Sequence, residues 1–514
     1  MPEYLYPGVY VEEIDSGNKP IEGVSTSTVG FLGIAERGPI TPTLCTSFGD
    51  FVRSFGRYVK DANGADRYLA YAVEGFFQNG GERCFIQRVF HRDLAGGTNS
   101  ATNATATADG KIAITAIGPG AWGQRIAYQI SDAGLKDTSL FKLTIMYWSG
   151  AVPADLANPA PTDPTPAMLE VYDNLSSVPT ASTFYQGEIN GYSHIVSVTQ
   201  NASGRPANGI SFLETSSDGG AVVLADFEGD DTDPANKTGL LALADMDEIS
   251  LLCCPDEAFF GNNDTTISQA LVAQCTLLKY RFAILQSPRN AGTPENNNPS
   301  VPSKYAAYYY PWLNITNPLS GTPLLVPPGG HVAGVYARSD TNRGVQKDPA
   351  NEPIFGISSL QLQINNQQQA ILNPKGVNCL RFFKTSGNLV WGGRTTSPEP
   401  DWKYINVRRL FIFVEKSIQD GTQWVVFEPN DAPLWARVVR SVSDFLTGIW
   451  KDGMLQGATK EQAFFVRCDR STMTQADIDN GRLIMLIGIA PVKPAEFVIF
   501  RIGQWDGGSS VTES

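Results

Sequence analysis

Hydrophobic positions follow two different periods along this chain. Short, nearly unbroken apolar runs at 28–35, 84–90, 249–254 and 282–285 read as strands. Between them, helical spacing predicts a short helix over 48–55 and a longer one over 66–77, with Tyr68, Leu69, Ala72, Val73 and Phe76 on one face. Asn79-Gly80-Gly81 stops that helix, and a further helix is predicted over 266–281. Strand, helix and strand thus recur on both sides of a long excursion, which predicts one α/β core assembled from two separated pieces.

The excursion, 94–245, has another texture. Stretches rich in Ala, Thr, Ser, Gly, Asp and Pro alternate with strand-like runs at 112–117, 126–130, 141–148 and 193–198. That pattern predicts an all-β domain inserted into the core. Further on, Asp431 is a candidate N-cap and Pro433 suits a first turn, so a helix is predicted to run to about Trp450. Its buried stripe is Trp435, Val438, Val439, Val442, Phe445, Leu446 and Ile449, and its opposite face presents Arg437, Arg440, Asp444 and Lys451. The chain closes on two strand-like runs within 481–502, hinged by prolines and followed by a polar stub, and a similar run occupies 4–14. Such strands must pair within their own domain or with another copy, so the two ends suggest a subunit that polymerises.

At 514 residues the chain exceeds a single compact core. The fold class expected is a multidomain α+β protein with these divisions: an N-terminal arm 1–20, core parts 21–93 and 246–395, the inserted outer domain 94–245, a C-terminal inner domain 396–494 and a C-terminal arm 495–514. No window has the roughly 18 consecutive apolar residues of a membrane helix, and no basic and apolar leader opens the sequence. Assembly in the cytoplasm without a signal peptide, and no direct membrane insertion, are the matching expectations. Seven unpaired-looking cysteines fit reduced thiols, with Cys253 and Cys254 serving as small hydrophobes on a buried strand. Of the net charge of −13, −10 lies in 94–245, where six basic residues face sixteen acidic ones. An acidic, solvated segment argues against nucleic acid as a partner.

Chemistry-bearing patterns are sparse. The three histidines, His91, His194 and His331, lie in separate segments and none makes a metal-spaced pair. Gly118-Pro119-Gly120-Ala121-Trp122-Gly123 matches GxGxxG by letter, yet strand-like alternation follows it and Pro119 removes an NH donor, so it reads as a turn between strands. Asp226, Glu228, Asp230, Asp231 and Asp233 lack the EF-hand order and read as a solvated acidic loop. No catalytic, cofactor or metal residues are assigned, and no enzyme activity is expected.

Several stretches carry a resemblance. Tyr6-Pro7-Gly8-Val9-Tyr10-Val11-Glu12-Glu13, residues 21–33 and Glu36-Arg37-Gly38-Pro39 look like the N-terminal signature of contractile tail sheath proteins, which clothe contractile phage tails and phage-tail-like injection systems. Residues 472–482, Ala490-Pro491 and Pro494-Ala495-Glu496-Phe497 are similar to that family's closing domain, and the turn at 119–123 resembles one the family carries. The first 40 residues resemble extracellular injection systems more than classical phages.

The resemblance implies a homo-oligomeric helical sheath around an inner tube protein, with baseplate and terminal cap proteins as partners, in a phage-tail-like particle or virion. It implies contraction from a metastable extended state, without cofactor or nucleotide. Each subunit would lend its arms to neighbours through Tyr6, Val9, Tyr10, Val11, Phe497, Val498, Ile499, Phe500 and Ile502. The helix facing the tube would use Arg437, Arg440 and Lys451. The alternatives are a hydrolase, since the family's core is subtilisin-like by fold, and a non-contractile filament or surface-layer subunit; fold alone does not transfer chemistry.

Overall fold

The computed structural model describes residues 20–60, 64–93, 99–260, 265–299 and 301–499. The first core piece supplies β1 (Val29–Gly33), β2 (Thr43–Cys45), α1 (Phe48–Phe55), α2 (Leu69–Gln78) and β3 (Cys84–Arg88). The chain then leaves for β4 (Thr105–Ala108), β5 (Ile112–Ala116), β6 (Ile126–Asp132), β7 (Leu140–Tyr147), β8 (Met168–Ser176), α3 (Tyr185–Ile189), β9 (Val196–Gln200) and β10 (Gly209–Phe212). It returns through α4 (Leu224–Glu228) and α5 (Gly239–Leu243) to β11 (Leu251–Cys253), α6 (Thr266–Leu278), β12 (Phe282–Gln286) and β13 (Ala306–Tyr310). A side sheet of β14 (Leu313–Thr316), β15 (Pro323–Val326) and β17 (Ser359–Leu360) flanks α7 (Gly329–Arg343) and the two-residue β16 (Glu352–Pro353). Then come α8 (Asn366–Leu372), β18 (Val377–Phe383), β19 (Gly387–Trp391), α9 (Ile405–Gly421), α10 (Ala432–Lys451), β20 (Phe464–Arg467) and β21 (Leu486–Ile489).

One nine-stranded sheet unites the two core pieces, in the order β16-β19-β18-β13-β12-β11-β1-β3-β2. Its six central strands are parallel, and antiparallel pairs close both edges. Every residue of β1, β3, β11, β12 and β13 is buried, which is why their sequences run apolar without alternating. Helices α2 and α7 cross closely because Gly330 and Gly334 bring α7 onto the backbone of Ala72 and Phe76, where a Cβ would collide. Phe31 of β1 meets Phe76 of α2 edge-to-face at 5.6 Å between ring centroids.

The excursion folds into two antiparallel sheets, β10-β6-β7-β8 and β4-β5-β9, around a core of its own that contains Ile114, Trp122, Phe141, Ile145 and Val198. Alternation in β5 and β7 matches the half-buried period read from the sequence. Two differences stand out. Helices α4 and α5 lie in a stretch expected to be all β, and their Phe227, Leu240 and Leu243 join the core around the nine-stranded sheet. The strand expected over 497–502 is described only to Ile499, and those residues lie in no ladder; Phe497, Val498 and Ile499 are 70%, 69% and 79% exposed.

The C-terminal part has a third core, where Leu434, Trp435, Val438, Val442, Leu446 and Ile449 of α10 meet Leu410, Val414 and Ile418 of α9. The predicted start holds: Asp431 Oδ1 accepts Leu434 N–H at 3.0 Å and Pro433 sits in the first turn.

Phe76→Ala should cost about 3–5 kcal/mol, because the ring is wholly buried between α2 and β1. Chemical denaturation followed by tryptophan fluorescence measures it.

Candidate functional site

An open α/β sheet takes ligands beyond the carboxyl ends of its strands, where the chain reverses its direction of travel along the sheet. Here that point lies between β1 and β11, and the chain's own carboxylates fill it. Asp256 accepts N–H groups of Ile34 (2.9 Å) and Tyr68 (2.7 Å), and Glu257 accepts the N–H of Gln286 (2.8 Å) and the hydroxyl of Ser268 (2.8 Å). Burial raises the pKa of both, that of Glu257 to about 7 despite hydrogen bonds that oppose the shift.

The patterns singled out in the sequence are absorbed by packing. In the GxGxxG turn, Gly120 N–H goes to Thr102 O (2.9 Å) and Ala121 N–H to Asp218 Oδ1 (2.8 Å), while a 3-10 turn over Ala121–Arg125 stands where a nucleotide site needs a helix. Pro119 O accepts from buried Arg88 (2.8 Å), so the turn docks the excursion on β3. The same seam holds Tyr147 OH against Glu36 (2.5 Å), the Arg37 guanidinium over the Tyr147 ring (5.0 Å), and His194 Nδ1 3.3 Å from Ser54 Oγ. Glu170 accepts from the His194 backbone N–H (2.9 Å) and the Ser193 hydroxyl (2.6 Å). At the re-entry, His91 and Arg92 pair with Asp226 (3.0 Å) and Asp230 (3.3 Å). Asp233 caps its own turn through Ala235 and Asn236, so the acidic run braces local backbone. His331 is buried against α2, and burial lowers its pKa to about 4. Cys253 and Cys254 are buried at the end of β11, and burial pushes both thiols well above the ordinary range.

What the fold leaves unfinished lies in the C-terminal part. β20 and β21 form a two-stranded antiparallel sheet, Phe464↔Ile489 to Arg467↔Leu486, and neither strand has a second ladder partner among the described residues. Phe465 and Leu486 are 47% and 51% exposed on it. An isolated two-stranded ribbon is marginal by itself, and this one leans on α10. Residues Tyr6, Val9, Tyr10, Val11, Phe500 and Ile502 lie outside the described residues. Arg437, Arg440 and Lys451 are exposed and recur with Asp444 at spacings of three, four and seven residues, which places them on one stripe of α10. Arg437 reaches Glu428 (2.9 Å) and lies over the Trp424 ring (5.3 Å).

Sequence reading missed the anchorage of the C-terminal segment. Glu496 accepts from Arg394 Nε and Nη2 (2.8 Å each), Asn373 Nδ2 (2.7 Å) and Tyr404 OH (3.0 Å), with Lys403 Nζ at 3.3 Å. Burial opposes its ionisation, but the hydrogen bonds and charge of Arg394, with Asn373 and Tyr404, outweigh burial and bring the pKa down to about 2. The only sequence signal was the charge itself, set in an apolar terminal run. Asp348, close by, takes the opposite course. Neither of its oxygens has a hydrogen-bond partner among the described residues, and burial, opposed by Lys347 and Arg409 and reinforced by Glu496, raises its pKa to about 7.

The fold is thus a mixed α/β architecture in which the chain's own carboxylates fill the usual ligand crevice, and whose C-terminal part carries a two-stranded sheet with no further ladder partner among the described residues. Comparison with known proteins agrees. The phage tail sheath protein central domain matches residues 235–396 and the phage tail sheath C-terminal domain matches 397–504, together more than half of the chain. The chain belongs to the phage tail sheath family.

Among relatives, the tail sheath protein of Vibrio phage KVP40 is 27% identical over 177 residues, 34% of this chain and 26% of that protein. A putative prophage major tail sheath protein of Pseudomonas aeruginosa is 26% identical over 188 residues, 35% of this chain and 47% of that protein. The match thus spans less than half the length of either. Whole-chain similarity is found among solved structures. A chain of the anti-feeding prophage baseplate is 25% identical with a TM-score of 0.57, covering 98% of this chain and 99% of that one. A chain of the contracted anti-feeding prophage sheath is 24% identical with a TM-score of 0.58, covering 97% and 99%. The contracted sheath complex of an extracellular contractile injection system, at 22% identity and a TM-score of 0.56, shares the fold, covering 98% and 99%.

Asp348→Asn should flatten the dependence of stability on pH. A folded pKa raised to about 7 contributes stability that is present below the unfolded value near 4 and lost as pH rises through about 7. The variant should therefore gain thermal stability over the native chain at pH 8 and differ little at pH 4, read as melting midpoints by calorimetry.

Proposed function

We propose that this chain is the subunit of a contractile sheath, polymerising helically around an inner tube and driving that tube by collapsing from a metastable extended lattice to a contracted one. The observation that carries the reading is the two-stranded β20–β21 sheet, whose outer edges have no ladder partner among the described residues, in a chain whose two ends are strand-like in sequence. Two such edges and two such segments match in number. Strand addition supplies main-chain hydrogen bonds between copies while the rest of each subunit can pivot. A contact of this kind does not close on itself, so it propagates as an open helix.

The division of labour follows. The nine-stranded core, in two pieces, is the body of the lattice. The acidic β-rich excursion is an inserted outer domain, and its charge fits a solvated outer surface. Residues 396–494 form the inner domain, whose α10 stripe of Arg437, Arg440 and Lys451 faces the tube, and 1–20 and 495–514 are the arms. Baseplate and cap proteins would terminate the lattice. Packing free energy drives the stroke, so the closed crevice at the end of β1 and β11 is consistent with a subunit that binds no nucleotide. The particle would be assembled in the cytoplasm and act outside it.

Deleting 1–16, or everything after Pro494, should leave a folded, monodisperse chain that forms no long tubes. Negative-stain microscopy and sedimentation test this, and full-length tubes from either truncation would sink the strand-exchange reading. Reversing Arg437 and Arg440 to Glu should leave self-assembly intact and cut co-sedimentation with the tube protein by about tenfold or more, since like charges then face each other. Unchanged co-sedimentation would remove those residues from the tube contact.

A further inference from the structure

Both arms start from the same helix. The segment leading into β1 runs back along α9: Ile21 packs against Gly421, Gly23 lies under the Phe413 ring, and Val24 N–H donates to Ser417 Oγ (3.1 Å). Thr26 O then accepts from Arg409 Nη2 (2.8 Å), and the Thr26 hydroxyl donates to Asp340 Oδ2 (2.6 Å). Arg409 is itself held by both oxygens of Asp340 on α7 (2.9 and 2.5 Å) and is 3% exposed. From residue 421 to 409 the helix advances about 18 Å, so four contacts tie this root along most of its length.

The other root is fixed at the beginning of the same helix. Asn406 Nδ2 donates to Val492 O (2.9 Å), and the Glu496 cage draws on Tyr404 and Lys403 as well as Arg394 and Asn373. Asn406 Nδ2 also donates to Gln346 O (2.8 Å), so the 344–350 turn lies against the same end of the helix. Five polar side chains of α9 are buried: Asn406, Arg408, Arg409, Lys416 and Ser417. Burying polar groups on a helix is unfavourable unless they find partners, and Asn406 Nδ2, Arg409 Nη2 and Ser417 Oγ each find one on an arm root, while Asn406 Oδ1 has none among the described residues.

We infer that α9 is a strut that couples the two arm roots, with Glu496 and Thr26 as positioning residues that set how each arm leaves the body. A pull on one arm then loads the helix that seats the other, so strain passes through a subunit from neighbour to neighbour without bending the nine-stranded sheet. The purpose of the coupling rests on the strand-exchange reading; the coupling itself does not.

Amide hydrogen exchange on the purified, unassembled full chain tests it. Glu496→Gln should speed exchange about tenfold in 486–499 and also raise it in 21–27, with β6 and β7 unchanged as the control. Thr26→Val should produce the reciprocal effect, raising exchange at 486–499. Tyr404→Phe removes one hydroxyl from the cage and should act in the same direction more weakly, which serves if Glu496→Gln folds poorly. Faster exchange confined to the mutated root in these variants would overturn the coupling. Because the readout needs no assembly, its failure is separate from failure of the truncation test, which reads tube formation and, in the 1–16 deletion, leaves both arm roots in place.

Discussion

The ladder between β1 and β11 is the constraint on which the rest of this chain depends. It joins Val29 to Leu251 and Phe31 to Cys253, across a separation long enough to hold an entire β-rich unit. β1 also pairs with β3 along its full length, so one five-residue strand stitches the two core pieces together. Strands buried on both faces cannot exchange ladder hydrogen bonds for water, which makes this join expensive to open. Only two residues separate Thr26 from β1, so the N-terminal root inherits that rigidity.

Charge is distributed to the same end. The excursion carries most of the net negative charge, much of it on exposed side chains where it costs little, whereas the carboxylates of Asp256, Glu257 and Asp348 are buried within the core and at its junction with α9. Asp348 and Glu496 show how environment decides ionisation: one is held up by burial, the other down by four donors. Four of the buried cations, Arg37, Arg88, Arg281 and Arg409, reach backbone carbonyls, Arg409 a carboxylate as well, at seams between elements. Such groups specify how units dock more than how strongly each holds together.

Much of the fold was legible before any coordinates, for local reasons. Helix α10 announces itself by its cap, its proline and an apolar stripe at three- and four-residue spacing, and β7 by strict alternation. The apolar runs of β1, β3, β11 and β12 are equally plain. Other elements were misread because tertiary contacts outweighed local pattern. Residues 66–68 look helical, yet Tyr68 N–H is taken by Asp256 and α2 begins at Leu69. Helices α4 and α5, in a stretch whose composition suggests β structure, form because Phe227, Leu240 and Leu243 find a place beside the core sheet. Of the candidate site, the exposed stripe of α10 and the terminal apolar run could be read directly. The Glu496 cage could not, since its donors come from four positions between 373 and 404.

By itself the sequence determined the elements, the two-piece α/β core, the acidic excursion and the family resemblance at its ends. These are written in periodicity, capping and composition, which act over a few residues. Only the tertiary structure decided that the GxGxxG turn is a docking contact, that β20 and β21 have no further ladder partner among the described residues, and that Phe497, Val498 and Ile499 stay exposed beyond an ionic anchor. It also decided that residues 21–26 and 492–496 are both seated against α9 or its start. Those outcomes rest on which distant donor meets which acceptor, and hydrogen-bond satisfaction in a buried space is set by the whole packing, which no local pattern encodes.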